Sequence, residues 1–254
     1  MALKPKRVKG NTGNRVEQAI LDVANYPARL VQVIDQGLQK NDFDADKVDH
    51  MLRLTYELTG EFMKDKDGND VEDKPRWISE EIKLIDLPVG MSVPDVYNDQ
   101  YRGKSKMVLR AKAFDPKGES EFDFSEMLGQ PCLVFIGEKA RKKDGVKYNV
   151  VGSVSSPMKG MTTPDLVNEA TLFTLDEPDA DVFRSLPEFL QDIIKGNLEY
   201  RGSALEKALE GGPEKAQEEE EAGEDAPVPK KKAPAKKAKP EPEEEEEEDD
   251  NQPW

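Results

Sequence analysis

The sequence predicts a mainly β fold, and three observations carry that reading. Apolar and polar side chains alternate with period two through much of Met51 to Ile85. Asp67-Gly68 and Asp144-Gly145, both strong hairpin-turn dipeptides, sit between runs rich in Leu, Ile, Val and aromatic residues. Between those two hairpins SKMVLRAKAF has its apolar residues spaced for one face of a helix.

Residues 1–14 are polar, with glycines at 10 and 13, and read as a flexible arm. Val16 to Val23 fits a short helix or an extended lead-in equally well. After Tyr26-Pro27 the segment ARLVQVIDQGLQ has strand composition, with Gly37 placed for a bulge or bend. KNDFDADK is a polar connection.

The first hairpin follows. Leu52, Leu54, Tyr56, Leu58 and Phe62 lie at even positions, with Arg53, Thr55, Glu57, Thr59 and Glu61 between them. That pattern gives one dry face and one wet face. The return strand puts Ile78, Ile82 and Leu84 on one side, and Trp77, Ser79, Glu81 and Lys83 on the other. The wet face thus carries Arg53, Thr55, Trp77 and Lys83. A Trp on that face either stacks on a base or ring of a partner or packs beneath a loop or second domain.

DLPVGMSVPDVYNDQ is too rich in turn formers for a regular element. In SKMVLRAKAF the helical face takes Met107, Ala111 and either Val108 or Leu109. FDFSEMLG reads as a short helix stopped at Gly129. PCLVFIGEKARKKDGVKYNVVGSVSS gives two strands around Asp144-Gly145. The order is therefore three strands, helix, two strands. That is the order of an OB-fold, a small Greek-key barrel of five strands. The loops that flank its binding face are expected at Gln39–Lys47, which is acidic, and Glu138–Lys147, which is basic.

Beyond the barrel, Ser185, Pro187 and Glu188 read as a capping-box start. Phe189, Leu190, Ile193 and Ile194 form one apolar stripe, ending at Gly196. The stripe packs on the barrel or on a second subunit, so a homodimer is one possible assembly. The domain is expected over 15–204, with 205–254 disordered. From Gly211 apolar side chains nearly vanish, and such a segment cannot offset its ordering entropy. KKKAPAKKAKP is followed there by an acidic run.

Composition excludes several classes. No apolar run reaches membrane-spanning length, and no apolar region follows the basic N-terminus as a secretory signal requires, so a cytoplasmic location is expected. One cysteine, Cys132, has no internal disulfide partner and sits in an apolar run. One histidine, His50, removes multi-histidine metal sites and most histidine-dependent hydrolases. Phosphate-cradling glycine motifs are absent, and no cofactor is implied. Calcium loops starting at Asp42 or Asp65 fail at the required glycine and glutamate, where the chain has Lys47 and Arg53, or Asp70 and Arg76. No catalytic constellation remains, and a binding module is expected rather than an enzyme.

The net charge of −16 argues against nucleic acid, but its distribution matters more. Arg102 to Lys147 holds 11 basic and 7 acidic side chains, whereas residues 201–254 hold 9 and 18. Basic groups attract phosphates and aromatic faces stack on unpaired bases. The candidate footprint is Arg53, Trp77, Tyr101, Arg102, Lys104, Lys106, Arg110, Lys112, Arg141, Lys142, Lys143, Lys147 and Tyr148. For each cation the plain alternative is a solvated surface charge. The acidic run Glu243, Glu244, Glu245, Glu246, Glu247, Glu248, Asp249 and Asp250 ends in Pro253 and Trp254. A tail serving solubility alone gains nothing from a terminal Trp.

EEEEEEDDNQPW resembles the acidic tip of single-stranded DNA-binding proteins. YPARLVQVIDQGLQ, KPRWISEEI, LGQPCLVFI, KKDGVKYNVVGSVS and SLPEFLQDIIKGNLEY resemble a tailed-bacteriophage family of such proteins, over about residues 26–204. The resemblance implies an OB-fold that coats exposed single strands in replication and recombination, without catalysis. It implies that Glu243–Asp250, Pro253 and Trp254 recruit a polymerase, helicase-primase or nuclease, and compete with DNA. The Lys-rich block departs from the family pattern; it either binds DNA weakly or pairs with the acidic run. The runner-up reading is a protein–protein adaptor or phage structural component that binds no nucleic acid.

Overall fold

Two long strands set the frame: β1 (Ala24–Lys40) and β2 (Val48–Lys64) pair antiparallel. β3 (Asp70–Lys83) returns along β2, joined to it around Asp65. The Asp65 carboxylate closes that turn, accepting the N–H groups of Asp67 and Asn69 at 2.9 and 2.8 Å. β4 (Pro131–Ala140) pairs with the first part of β1, and β5 (Lys147–Ser155) pairs with β4. The strand order β3-β2-β1-β4-β5 makes a curled antiparallel half-barrel, compatible with an OB-like fold. This computed structural model describes residues 18–41, 44, 46–86 and 89–210.

Four of the five predicted dry-face residues of β2 are buried, whereas Phe62, past a break in the β2–β3 register, is only partly so. Leu52, Leu54, Tyr56 and Leu58 are buried with Leu30 and Val134. Each fully buried Leu or Tyr of this kind stabilises by roughly 1.5–3 kcal/mol. α2 (Lys106–Phe114) closes the interior with Met107, Val108 and Ala111, while Leu109 faces out. Ser105 caps this helix, its hydroxyl accepting the Val108 N–H.

β1 is exposed to edge pairing once β4 leaves it at Arg29. A short strand, β6 (Thr171–Phe173), takes that edge, parallel to Gln32–Ile34. α3 (Ala180–Ser185) and α4 (Glu188–Lys195) follow, and bury Phe183, Leu190 and Ile194 against Phe173 and Ile34. Leu190 and Ile194 of the α4 stripe are thus covered by their own chain, whereas Phe189 is half exposed. Gly37 is the predicted bulge, at φ +70, with the β1–β2 register shifting there. A Cβ at this position would come within 2.7 Å of Leu175, so only glycine lets this C-terminal layer approach.

Several expectations change. Of the two readings of Val16 to Val23, the lead-in holds over the described residues 18–23, which are irregular. Val93–Asn98 is helical (α1), because Ser92 and Asp95 form a reciprocal capping box around Pro94. FDFSEMLG is a chain of turns: its backbone bonds reach three residues back, Met127 N–H to the Phe124 carbonyl and Leu128 N–H to the Ser125 carbonyl, and it starts at Phe122 with positive φ. At α4 the cap position is Pro187, with no side-chain hydrogen bond; the Ser185 hydroxyl donates back to the Val182 carbonyl instead. Helical backbone runs over 204–210 and Leu205 is fully buried, so folded structure continues past 204 up to the composition change at Gly211. Among the described residues no helix is long and apolar enough to cross a membrane.

Candidate nucleic-acid interface

The outward face of β1–β3 is laid out in three rungs by the strand registers. Arg29, Glu57 and Trp77 form the first; Gln32, Thr55 and Ser79 the second; Ile34, Arg53 and Glu81 the third. Each rung is knit together by side chains. Trp77 Nε1 donates to Glu57 at 3.0 Å, Thr55 Oγ1 meets Gln32 and Ser79 at 3.2 and 3.0 Å, and Arg53 reaches Glu81 at 3.3 Å.

This face is not simply wet, as alternation predicts. Thr55 and Glu57 are buried, and residues 163–168 cross the first rung over Glu57. Arg29 grips that strap through the carbonyls of Thr163 and Pro164 and the Asp165 carboxylate. Glu57 accepts the N–H groups of Val167 and Asn168 and the Asn168 amide. Two register partners of opposite charge therefore hold one loop across the sheet.

What stays open lies beside the strap. Trp77 is 44% exposed, and Phe189 of α4 is 52% exposed with the Arg53 guanidinium over its ring at 5.4 Å. Trp77 and the Arg53–Glu81 rung are four residues apart along β3, which is about 13 Å of strand. The polar floor between them is Thr55 and Ser79. Burial lowers the Arg53 pKa and the neighbouring Glu81 opposes this; the guanidinium stays cationic at physiological pH. Phe189 was placed in the buried stripe by its spacing. Leu190 and Ile194, four apart, are the pair that α4 buries, and Phe189 lies beside them at the helix start.

The other candidates fall into two further groups. Tyr101, Arg102 and Lys104 are exposed on a short 3-10 turn before α2. Lys106 donates to the Glu81 carbonyl and the Glu80 carboxylate, and Lys112 lies over the Tyr97 ring. Arg110 points inward and is spent on Glu80. At the β4–β5 turn Arg141 pairs with Asp144 and Lys147 with Glu138, whereas Lys142 and Lys143 form no ion pair among the described residues. Tyr148 is 40% exposed, opposite Lys139 on the outer side of that hairpin. The thirteen candidates thus sit on three parts of the chain, the outward face of β2–β3, the 101–112 segment and the β4–β5 hairpin, and Lys106 joins the first two at Glu81, the partner of Arg53.

The two expected flanking loops do not lie at one end of β1. The β4–β5 turn is near its start, where Asn149 binds both backbone groups of Leu21. The β1–β2 connection is past its other end, where Leu38 accepts the Leu198 N–H and Gln39 donates to the Ile193 carbonyl. Glu243–Asp250, Pro253 and Trp254, the 1–14 arm and part of the acidic 42–46 run lie outside the described residues.

Comparison of the chain with protein-family models, curated proteins and solved structures returned no match.

Proposed function

We propose that the chain is a single-strand nucleic-acid binder without catalysis, built on an OB-like half-barrel. One observation carries this reading: two half-exposed aromatics, Trp77 of β3 and Phe189 of α4, adjoin the polar face of β2–β3, where the Arg53 guanidinium lies over the Phe189 ring. Each stacked base contributes about 1–3 kcal/mol and tolerates any sequence, because every base has a π-face. The face is near neutral, so affinity for phosphates falls to exposed cations such as Lys142 and Lys143. In this reading single-stranded DNA is the ligand. The acidic run ending at Trp254 recruits replication partners, as the bacteriophage single-stranded DNA-binding family does.

A salt series of oligo-dT binding tests this. Affinity should fall linearly on logarithmic axes, by roughly 0.7 per phosphate neutralised, with quenching of Trp77 emission. An absence of binding at low salt, both by the whole chain and by a chain lacking its last fifteen residues, refutes the reading and leaves a protein adaptor.

A further inference from the structure

Two concavities adjoin on the side of the half-barrel where β3 ends and the 119–126 loop begins. Their volumes are about 590 and 270 Å³, and they share Leu84, Phe122 and Asp123 as lining. The floor is apolar: Leu52, Leu84, Ile85, Met107 and Leu172. The rim is acidic: Glu119, Glu121, Asp123 and Glu126 line the larger cavity, and Asp35 and Asp176 the smaller. Neither lining contains a lysine or arginine; His50, held by Asp35 at 2.7 Å, is the one basic group. Lys117 stands at the exposed edge of the rim, 3.5 Å from Glu119.

The wall of this groove is built, not slack. Asp115 accepts the N–H groups of Gly118 and Ser120 and the Ser120 hydroxyl, at 2.7–2.8 Å. That clamp holds Glu121 and Phe122 at φ 50 and 69, a region that L-residues avoid. Phe122 is buried edge-on against Tyr97, with ring centres 5.4 Å apart. A groove preformed in this way pays little ordering entropy when it is filled.

We propose that this groove docks a lysine- or arginine-rich protein segment that carries an apolar anchor side chain. Charge complementarity selects the partner. Six carboxylates repel nucleic acid, and attract a basic chain over a distance set by ionic strength. The apolar floor selects further, since a simple polycation leaves it uncovered while a Leu or Ile side chain dries it. The proposal does not rest on the nucleic-acid reading, which concerns the opposite, outward side of β1–β3.

The test is a titration of the whole chain with the peptide Lys-Lys-Leu-Lys-Lys-Leu-Lys-Lys, read in methyl NMR spectra. Saturable shifts are expected at Leu84, Ile85 and Met107, which binding elsewhere on the chain does not move. Glu119, Glu121 and Glu126 are exposed, so the triple variant E119Q/E121Q/E126Q keeps the fold and should weaken those shifts by about tenfold. Asp176→Asn should weaken them about threefold from the other end of the groove. Oligo-dT affinity should not fall in either variant. Unshifted methyls, equal titrations by wild type and triple variant, or equal binding of spermine or of a peptide with Ala for Leu would each overturn the proposal.

Discussion

Arg110 of α2 and Glu80 of β3 meet inside the protein as a two-pronged ion pair. Nε–Oε1 is 2.6 Å and Nη2–Oε2 is 3.0 Å, and both side chains are 4% exposed. Tyr56 donates to the same carboxylate at 2.9 Å, Lys106 approaches it at 2.9 Å, and Arg110 also reaches the Gly152 carbonyl of β5 at 3.4 Å. β3 and β5 are the two ends of the strand order, so Arg110 spans the seam of the half-barrel. Arg110→Met strips the buried Glu80 of its two-pronged partner, leaving it the half-exposed Lys106 and the Tyr56 hydroxyl, and should cost up to about 3–5 kcal/mol in urea unfolding. Replacing both partners, as E80L/R110M, should recover most of that loss, because no orphaned charge remains. A double variant as unstable as the single one contradicts this account.

The same pair gives a pH dependence with a definite sign. Burial alone would raise the Glu80 pKa, but the hydrogen bonds and charges of Arg110 and Lys106 outweigh it and leave it lowered. The unfolded chain takes up the proton near pH 4.3, and the folded chain only at lower pH. Stability from Glu80 is therefore complete above roughly pH 5, and is lost as pH falls through the folded value. Urea midpoints of wild type and Glu80→Gln should differ most at neutral pH and converge in acid. A gap that widens in acid would reverse the assignment.

Glu57 makes the strap and the exposed Trp one unit. It is fully buried and accepts from Trp77 Nε1, Val167 N, Asn168 N and Asn168 Nδ2. Glu57→Leu orphans these donors, at about 1–3 kcal/mol for each left buried. Amide hydrogen exchange over 163–168 should rise well above that of β2. Exchange unchanged there would mean that Arg29 alone holds the strap.

The strands were legible because their determinants are local. Leu52 through Leu58 alternate, Asp67-Gly68 and Asp144-Gly145 turn, and Met107, Val108 and Ala111 share a helical face. Period two tells that a strand has two faces, but not what covers the second. Glu57 is buried by Val167 and Asn168, more than a hundred positions away. Arg110 did carry a local signal: it is three residues after Met107, on the face that α2 buries. Its charge points to phosphate contact, yet its helical position places it inward.

Stacking and charge can be separated by two variants. Phe189 is half-exposed and receives only the Arg53 guanidinium over its ring. Phe189→Ala removes a stacking surface without orphaning a donor, which Trp77→Ala would not do cleanly, since the indole N–H serves Glu57. Its oligo-dT affinity should fall by about 1–3 kcal/mol, roughly 5- to 150-fold, with the salt slope unchanged. Lys142→Gln with Lys143→Gln should do the reverse at the β4–β5 turn. The salt slope should drop by about 0.7 for each lysine that neutralises a phosphate, and the loss of affinity should fade as salt rises. Lysines that leave the slope untouched would put the phosphate track elsewhere, toward Arg102 and Lys104. A Phe189 variant that binds as wild type does would restrict stacking to Trp77.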